Sequence, residues 1–206
     1  MSESWTTLTH SAESAARGGK VHEAKDFYKQ AMADADSRRD LLQAYYTRCN
    51  FAALLRLLEE YAEAEQLLRV AVQMRHDFPQ QLALDPVSPL PDLERILVKQ
   101  NRLSDVEQLH RADTDRMFAV YGRDSHEFKM SLMNLAATYG NYLKDMDKCR
   151  TYFREVLDWS RTAEPITRKM IYMNYDKVLR TAGLAAEADL AQQELAAMQQ
   201  SNQVSF

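Results

Sequence analysis

Glycine, proline and cysteine are all scarce in this chain of 206 residues, which contains five glycines, five prolines and two cysteines. So few helix-breaking residues favour long uninterrupted helices over the turn-rich layout of an all-β protein. The chain also lacks the alternating runs of β-branched and aromatic residues that indicate strands. The two cysteines, Cys49 and Cys149, form no C-x-x-C pair, so the sequence indicates neither a disulfide framework nor a thiolate metal site.

The signatures of several functional classes are missing as well. The net charge is −4, and the basic residues lie among Glu and Asp rather than in a stripe, which argues against a nucleic-acid partner. The N-terminus lacks the basic start and apolar stretch of a signal peptide, and no segment approaches the roughly 18 apolar residues of a membrane helix, so we expect a cytoplasmic protein without membrane insertion. No histidine spacing suits a metal, and no nucleotide-binding or nucleophile motif occurs. We therefore expect no cofactor, no metal and no enzymatic activity.

What the chain does contain is an internal repeat. The segment KMSLMN at 129–134 returns as KMIYMN at 169–174, with four of six positions identical. Each copy ends in an asparagine that precedes a small residue in a second helical run. The distances are 15 residues from Asn134 to Cys149, 14 from Asn174 to Ala188 and 14 from Asn50 to Ala64.

The small residues mark a fixed period along the whole chain. These anchors are Ala24, Ala64, Val106, Cys149 and Ala188, and they are separated by 40, 42, 43 and 39 residues. Such a period is the signature of a helical solenoid, in which one unit cannot bury its apolar face alone but stacked units can. Each anchor is the first of two or three residues that lie on one face of its helix and are predicted to pack against a neighbouring helix. In chain order these packing sets are Ala24, Tyr28 and Ala31; Ala64, Leu68 and Ala71; Val106 and His110; Cys149, Phe153 and Val156; and Ala188, Gln192 and Leu195. In the fourth unit the turn at 140–145 contains one additional residue.

The period divides the chain into five predicted repeats within a single domain, 1–200. The repeats cover about 5–38, 40–76, 91–121, 124–160 and 164–199. Between the second and third repeats, residues 77–90 are predicted to form a loop because their prolines cannot continue a helix. This loop is the best candidate for a flexible or functional insertion. Residues 201–206 are predicted to be a disordered tail.

The pattern inside each unit resembles the tetratricopeptide repeat. It is clearest in Leu132-x-x-Leu135-Ala136-x-x-Tyr139 and in Ala24-x-x-x-Tyr28-x-x-Ala31. Units of roughly 40 residues, together with the break at 121–127 and the segment Met133-Asn134-Leu135-Ala136, are similar to the longer kinesin-light-chain-like variety of that repeat.

The resemblance implies an all-α fold, a right-handed α-α superhelix of about five helical hairpins. The third unit departs from the pattern, since Glu94 stands where other units have Ala52 or Ala136. A HEAT-like array has a similar period and remains the structural alternative.

The same resemblance implies a binding surface. In tetratricopeptide arrays the first helix of each hairpin lines the concave side, and asparagines there hydrogen-bond the main chain of a bound peptide. Carried over to this sequence, these asparagines are Asn50, Asn134 and Asn174. An amide suits the task because it donates and accepts together. The alternative is that the asparagines cap or bridge neighbouring helices.

Methionines lie beside two of these asparagines, and they suggest an apolar groove. Met130, Met133, Met170 and Met173 are one and four residues before Asn134 and Asn174, and Tyr46 and Cys49 hold the corresponding places before Asn50. Methionine-lined surfaces suit apolar peptide partners, although helical methionines also serve as core filler. Lys177 and Arg180 could add positive charge for an acidic residue or a C-terminal carboxylate.

These features favour a non-enzymatic protein–protein interaction module that binds a peptide segment of a partner protein, as an adaptor or chaperone-like protein. Two alternatives stay open. One is a structural or self-association scaffold, which would form a homo-oligomer. The other is a regulatory domain that acts on a separate enzyme.

Overall fold

The computed structural model describes residues 4–82 and 87–203, and side chains up to residue 200. Within these residues the chain forms eleven α-helices and no β-strand, which confirms the all-α prediction. The helices are α1 (Trp5–Arg17), α2 (Val21–Arg38), α3 (Leu41–Leu57), α4 (Tyr61–Asp77), α5 (Pro79–Leu82), α6 (Leu90–Lys99), α7 (Leu103–Tyr121), α8 (His126–Thr138), α9 (Met146–Ser160), α10 (Pro165–Thr181) and α11 (Ala185–Gln203).

The helices form two compact units. The first unit ends at Asn101, and the second begins at Arg102. In the first unit α1 packs on α2, α2 on α3, α3 on α4, and α4 on α6. In the second unit α7 packs on α8, α8 on α9, α9 on α10, and α10 on α11. Packing between neighbours in sequence is what a helical-repeat fold requires.

The turns that precede the anchor-bearing helices share one backbone conformation. A single residue in each turn has a positive φ of 57–79°, and these residues are Gly19, Glu59, Asn101, Lys144 and Gly183. Each lies five positions before an anchor, so the turns repeat with the same spacing as the anchors. After three of the turns a backbone N–H bonds the carbonyl five residues earlier, as in Lys20 to Ala15, Glu60 to Leu55 and Leu184 to Leu179.

The predicted packing positions form the core. All five anchors are 0 % exposed. The large members of the sets, among them Tyr28, Leu68 and Phe153, are buried, and Gln192 is half-buried. The predicted first-helix positions Leu132 and Tyr139 are buried as well. The anchors and the large packing residues inferred from spacing are therefore buried as expected, while the predicted repeat bounds stay a prediction.

The fourth turn accommodates its additional residue by widening the end of the helix. Residues 139–143 form a π-helical turn, and the N–H of Asp145 bonds the carbonyl of Tyr139, six residues earlier. The backbone approaches its neighbours closely here. A Cβ on Gly140 would lie 2.3 Å from Val178 Cγ1 and 3.0 Å from Cys149 Sγ, so only glycine fits without displacement.

The proline-rich segment is partly helical and is anchored on the first unit. The single-turn helix α5 begins at Pro79, a position where the missing N–H costs nothing. Leu82 is fully buried against Tyr45 and Cys49, and the Tyr45 hydroxyl donates to the Val87 carbonyl at 2.7 Å. The predicted loop thus contains a helical turn and has both described ends fixed. Its residues 83–86 lie outside the described part of the chain.

The predicted tail overlaps the last helix. The backbone of α11 stays helical to Gln203. The rest of the predicted tail, residues 204–206, lies outside the described residues.

Candidate functional site

The candidate site is one face of α10. Its opposite face, with Ile171, Tyr172, Tyr175 and Leu179, is buried and holds the helix in the core of the second unit. The outward side exposes Ile166, Met170 and Met173, which are 80 %, 39 % and 56 % exposed. Isolated apolar side chains on a surface are common, but three on one helix face form a patch that calls for a partner.

Polar side chains complete this face. A shallow depression of about 310 Å³ is lined by Ile166, Lys169, Met170, Met173, Asn174 and Lys177, which we call the α10 stripe. Steps of three and four residues place all six on one side of the helix. The stripe is about 16 Å long, given a rise of about 1.5 Å per residue.

The three predicted asparagines differ in their surroundings. Asn174 is half-buried, and its amide donates to the Met170 carbonyl at 2.9 Å, one turn back in its own helix. Asn134 is exposed on α8 in the same unit, whereas Asn50 is half-buried on α3 in the first unit. Within the described residues the amides of Asn50 and Asn134 have no hydrogen-bond partner.

The predicted apolar residues on the other first helices are less accessible. On α8, Met130 is half-buried and Met133 is only 7 % exposed. On α3, Tyr46 meets Tyr45 edge to face with ring centroids 5.9 Å apart and packs against the core of the first unit. Among the methionines of the described chain, only Met170 and Met173 are exposed rather than buried or half-buried. The structure thus brings together Met170, Met173, Asn174 and Lys177.

The lysines of the repeated hexapeptide have opposite environments. Lys129 on α8 is 3 % exposed, with its Nζ 2.8 Å from Glu155 and 5.2 Å from the Phe128 ring centroid. Burial alone would raise the pKa of Glu155, but hydrogen bonds from Arg123 and Lys129 outweigh it and lower the pKa. Lys169, the equivalent residue on α10, is exposed and makes no ion pair within the described residues.

The charge beside the α10 stripe is positive. Lys177, like Lys169, has no ion-pair partner in the part of the chain that the structure describes. The carboxylate adjacent to Lys177, Asp176, is paired with Arg180 at 3.1 Å, and Arg180 also contacts Asp189 at 2.7 Å. Two uncompensated ammonium groups therefore flank the exposed apolar side chains.

Sequence reasoning missed Ile166 and Lys169 as members of this face. Ile166 lies four residues before Met170 and seven before Met173, and that spacing identifies it once α10 is known to begin at Pro165. Lys169 was visible in the repeated hexapeptide, but its exposure could not be inferred because its copy at Lys129 is buried.

Two other kinds of site have no counterpart in the described residues. No group of three or more His, Cys, Asp or Glu side chains there could hold a metal ion. Likewise, none of the described helices combines the length and apolarity that crossing a membrane requires.

Comparison with known proteins identifies the fold. No protein-family model and no curated protein matches the sequence. Solved structures do match. A Podosopora anserina kinesin light chain with nearly identical TPR-like repeats has 18 % identity and a TM-score of 0.62, with 97 % of each chain covered. A single-substitution variant of that protein gives 18 % identity and a TM-score of 0.65, covering 97 % of this chain and 96 % of the other.

A third solved structure matches as well. The crystal structure of BtubC (BKLC) from P. vanneervenii has 15 % identity and a TM-score of 0.62, covering 95 % of this chain and 79 % of that one. These matches confirm the sequence resemblance: the chain has the tetratricopeptide-like helical-repeat fold of kinesin-light-chain-like structures.

Proposed function

We propose that this protein is a non-enzymatic protein-interaction module that binds a segment of a partner protein on the first helices of its repeats, with the α10 stripe as the main contact surface. Such a module would act as an adaptor or chaperone-like protein. Fold alone does not fix function, so the proposal depends on the surface chemistry of α10.

The observation that carries the proposal is the exposure of Ile166, Met170 and Met173 on one helix face. Leaving an apolar side chain of this size in water rather than burying it forgoes about 1.5–3 kcal/mol. A partner that covers the three side chains would recover much of this free energy. The adjacent Asn174 and Lys177 supply polar contacts at the edge, which is the usual arrangement of an apolar centre with a polar rim.

Site-specific photo-crosslinking tests the proposal. A benzophenone amino acid placed at Met173 should yield covalent adducts with a partner protein in cells, because the side chain lies in the contact surface. The matched control is the same amino acid at Leu190 on α11, which is 65 % exposed but lies outside the α10 stripe.

A second experiment distinguishes specific binding from non-specific crosslinking. The double change Met170→Glu and Met173→Glu should abolish capture of the crosslinked partner, while Leu190→Glu should leave capture unchanged. Circular dichroism should show that both proteins stay folded, since all three side chains are exposed. Equal adducts from positions 173 and 190, or full capture by the double variant, would refute the proposed surface.

A further inference from the structure

On the other first helices α3 and α8, positions equivalent to members of the α10 stripe are buried. On α3, Tyr45 and Cys49 are buried and pack against Leu82, which belongs to the single-turn helix α5. On α8, Lys129 and Met133 occupy the equivalent places and are buried too. On α10, the same places hold Lys169 and Met173, which are exposed. Two positions that another helical segment covers on α3 are therefore exposed on α10.

The shape of the α10 stripe also suits a helix. Ile166, Met170 and Met173 follow one another at steps of four and three residues, the spacing of a coiled-coil seam, and Lys177 continues the series. Such a ridge packs into the grooves between the side chains of a helix that crosses at about 20°. An extended peptide would instead need main-chain partners along its length, and the α10 stripe offers a single amide, Asn174, one N–H of which already donates to the Met170 carbonyl.

The charge beside the α10 stripe restricts which kind of helix can bind there. Lys169 and Lys177 have no ion-pair partner within the described residues, and the neighbouring Asp176 is occupied by Arg180. Arg168, the remaining cation of this stretch, is buried and bonds the carbonyls of Ser160, Arg161 and Ala163. Carboxylates on a docked helix would therefore meet two uncompensated lysines at the edge of the apolar contact.

From these three observations we propose that the segment recognised by the α10 stripe is an acidic amphipathic helix of a partner protein. This inference rests on the proposed function and specifies the conformation and charge of the bound segment. The partner helix presents apolar side chains at its own seam positions to Ile166, Met170 and Met173. Its Glu or Asp side chains lie beside the seam, within reach of Lys169 and Lys177.

Three labelled peptides test the inference by fluorescence anisotropy. The first is an amphipathic helix of about three heptads with Leu at the seam and Glu beside it. The second has Lys in place of each Glu, and the third keeps the Glu residues but carries two central prolines that prevent the helix. We expect the acidic helix to bind the wild-type protein at least about tenfold more tightly than either of the others.

Charge reversal on the protein makes the test specific. The variant Lys169→Glu/Lys177→Glu should reverse the preference, so that the basic helix binds at least about tenfold more tightly than the acidic one. The matched control is Lys29→Glu/Lys99→Glu, which changes two exposed lysines without ion pairs in the described chain and alters the net charge equally. This control should bind like the wild-type protein.

Four results would overturn the inference. If the proline peptide binds as tightly as the acidic helix, the segment is extended, and the proposed surface itself survives. If the basic helix binds the wild-type protein equally well, charge does not select the segment. If a concentration-dependent dimer in sedimentation disappears on Met173→Glu, a second copy covers the stripe. If no peptide binds, the inference fails, and photo-crosslinking at position 173 separately decides the proposed function.

Discussion

At the scale of single residues, the positive-φ turn positions that are not glycine carry a measurable strain. Glu59 has φ 61° and is exposed, with no side-chain partner in the described residues. A residue with a Cβ pays about 1–2 kcal/mol for the left-handed conformation, whereas glycine does not.

Glu59→Gly should therefore stabilise the protein by about 0.5–1 kcal/mol, after part of the relief is offset by the greater freedom of glycine in the unfolded chain. The control is Gln66→Gly at an exposed position inside α4, which should destabilise by about 1 kcal/mol. Urea denaturation measures both. Equal destabilisation by the two substitutions would show that the Glu59 turn is unstrained.

A carboxylate that ties three helices together makes stability depend on pH. Glu187 on α11 accepts from Arg150 on α9 at 2.9 Å and from the Tyr175 hydroxyl on α10 at 2.9 Å. The hydrogen bonds from Arg150, and then that from Tyr175, lower the pKa of Glu187 below its ordinary value of 4.5 although burial opposes them. The folded state thus holds this proton more weakly than the unfolded state.

It follows that the stability from Glu187 is fully present above about pH 4.5 and is lost as the pH falls through its lower folded pKa. Glu187→Gln should cost about 1 kcal/mol at neutral pH, and the variant should lose less stability than the wild-type protein between neutral and acid pH. Thermal melts across this range measure the difference. Glu13→Gln, at an exposed carboxylate without an ion pair in the described residues, should change stability little at neutral pH. Parallel profiles for wild type and Glu187→Gln would contradict the assignment.

At the scale of secondary-structure elements, the π-helical turn fixes how α8 and α9 meet α10. Gly140 lies against Val178 so closely that a methyl group has no room. Gly140→Ala should therefore destabilise by about 1–3 kcal/mol, the usual cost of overpacking. In a Val178→Ala background the same substitution should cost at least about 1 kcal/mol less, because the two positions are in contact.

The chain offers a matched control for this substitution. Gly18 has φ −80°, and an added Cβ would make only ordinary contacts at 3.4 Å and 3.6 Å. Gly18→Ala should change stability little. If Gly140→Ala is equally mild, or if Val178→Ala does not reduce its cost, the close approach of the π-helical turn to α10 is wrong.

The elements show which features a sequence pattern can predict. The anchors and packing sets depend on residue size and helical spacing, which are local properties. The buried anchor positions from Ala24 to Ala188 could therefore be predicted. The extra residue near Gly140 was visible as a longer spacing, but the choice of a π-helical turn depends on contacts with Cys149 and Val178. The helix α5 was missed because prolines end helices, although Pro79 begins one.

The candidate site was only partly predictable for a related reason. Met133 and Met173 hold the same place in similar hexapeptides, yet Met133 is 7 % exposed and Met173 is 56 % exposed, a difference that depends on the surrounding packing. Burial of Lys129 depends on Glu155, which is 26 residues away. Long-range packing of this kind cannot be predicted from the sequence of a hexapeptide.

At the scale of the whole molecule, the fold and the surface lead to one statement about function. The anchors and most of the packing residues are buried, and in the described part of the second unit α10 exposes an apolar stripe beside two lysines that have no ion-pair partner there. In our account this stripe is the surface on which a partner protein docks.

Hydroxyl-radical footprinting of the wild-type protein, alone and in complex with the partner that crosslinking identifies, is the sharpest test of this claim. In the free protein, Met170 and Met173 should oxidise faster than the buried Met117 and Met133, because thioether oxidation follows exposure. In the saturated complex, oxidation of Met170 and Met173 should fall by about fivefold or more, while that of the exposed Phe78 and Phe118 should be unchanged. If Met170 and Met173 oxidise as fast in that complex as in the free protein, the α10 stripe is not the docking surface.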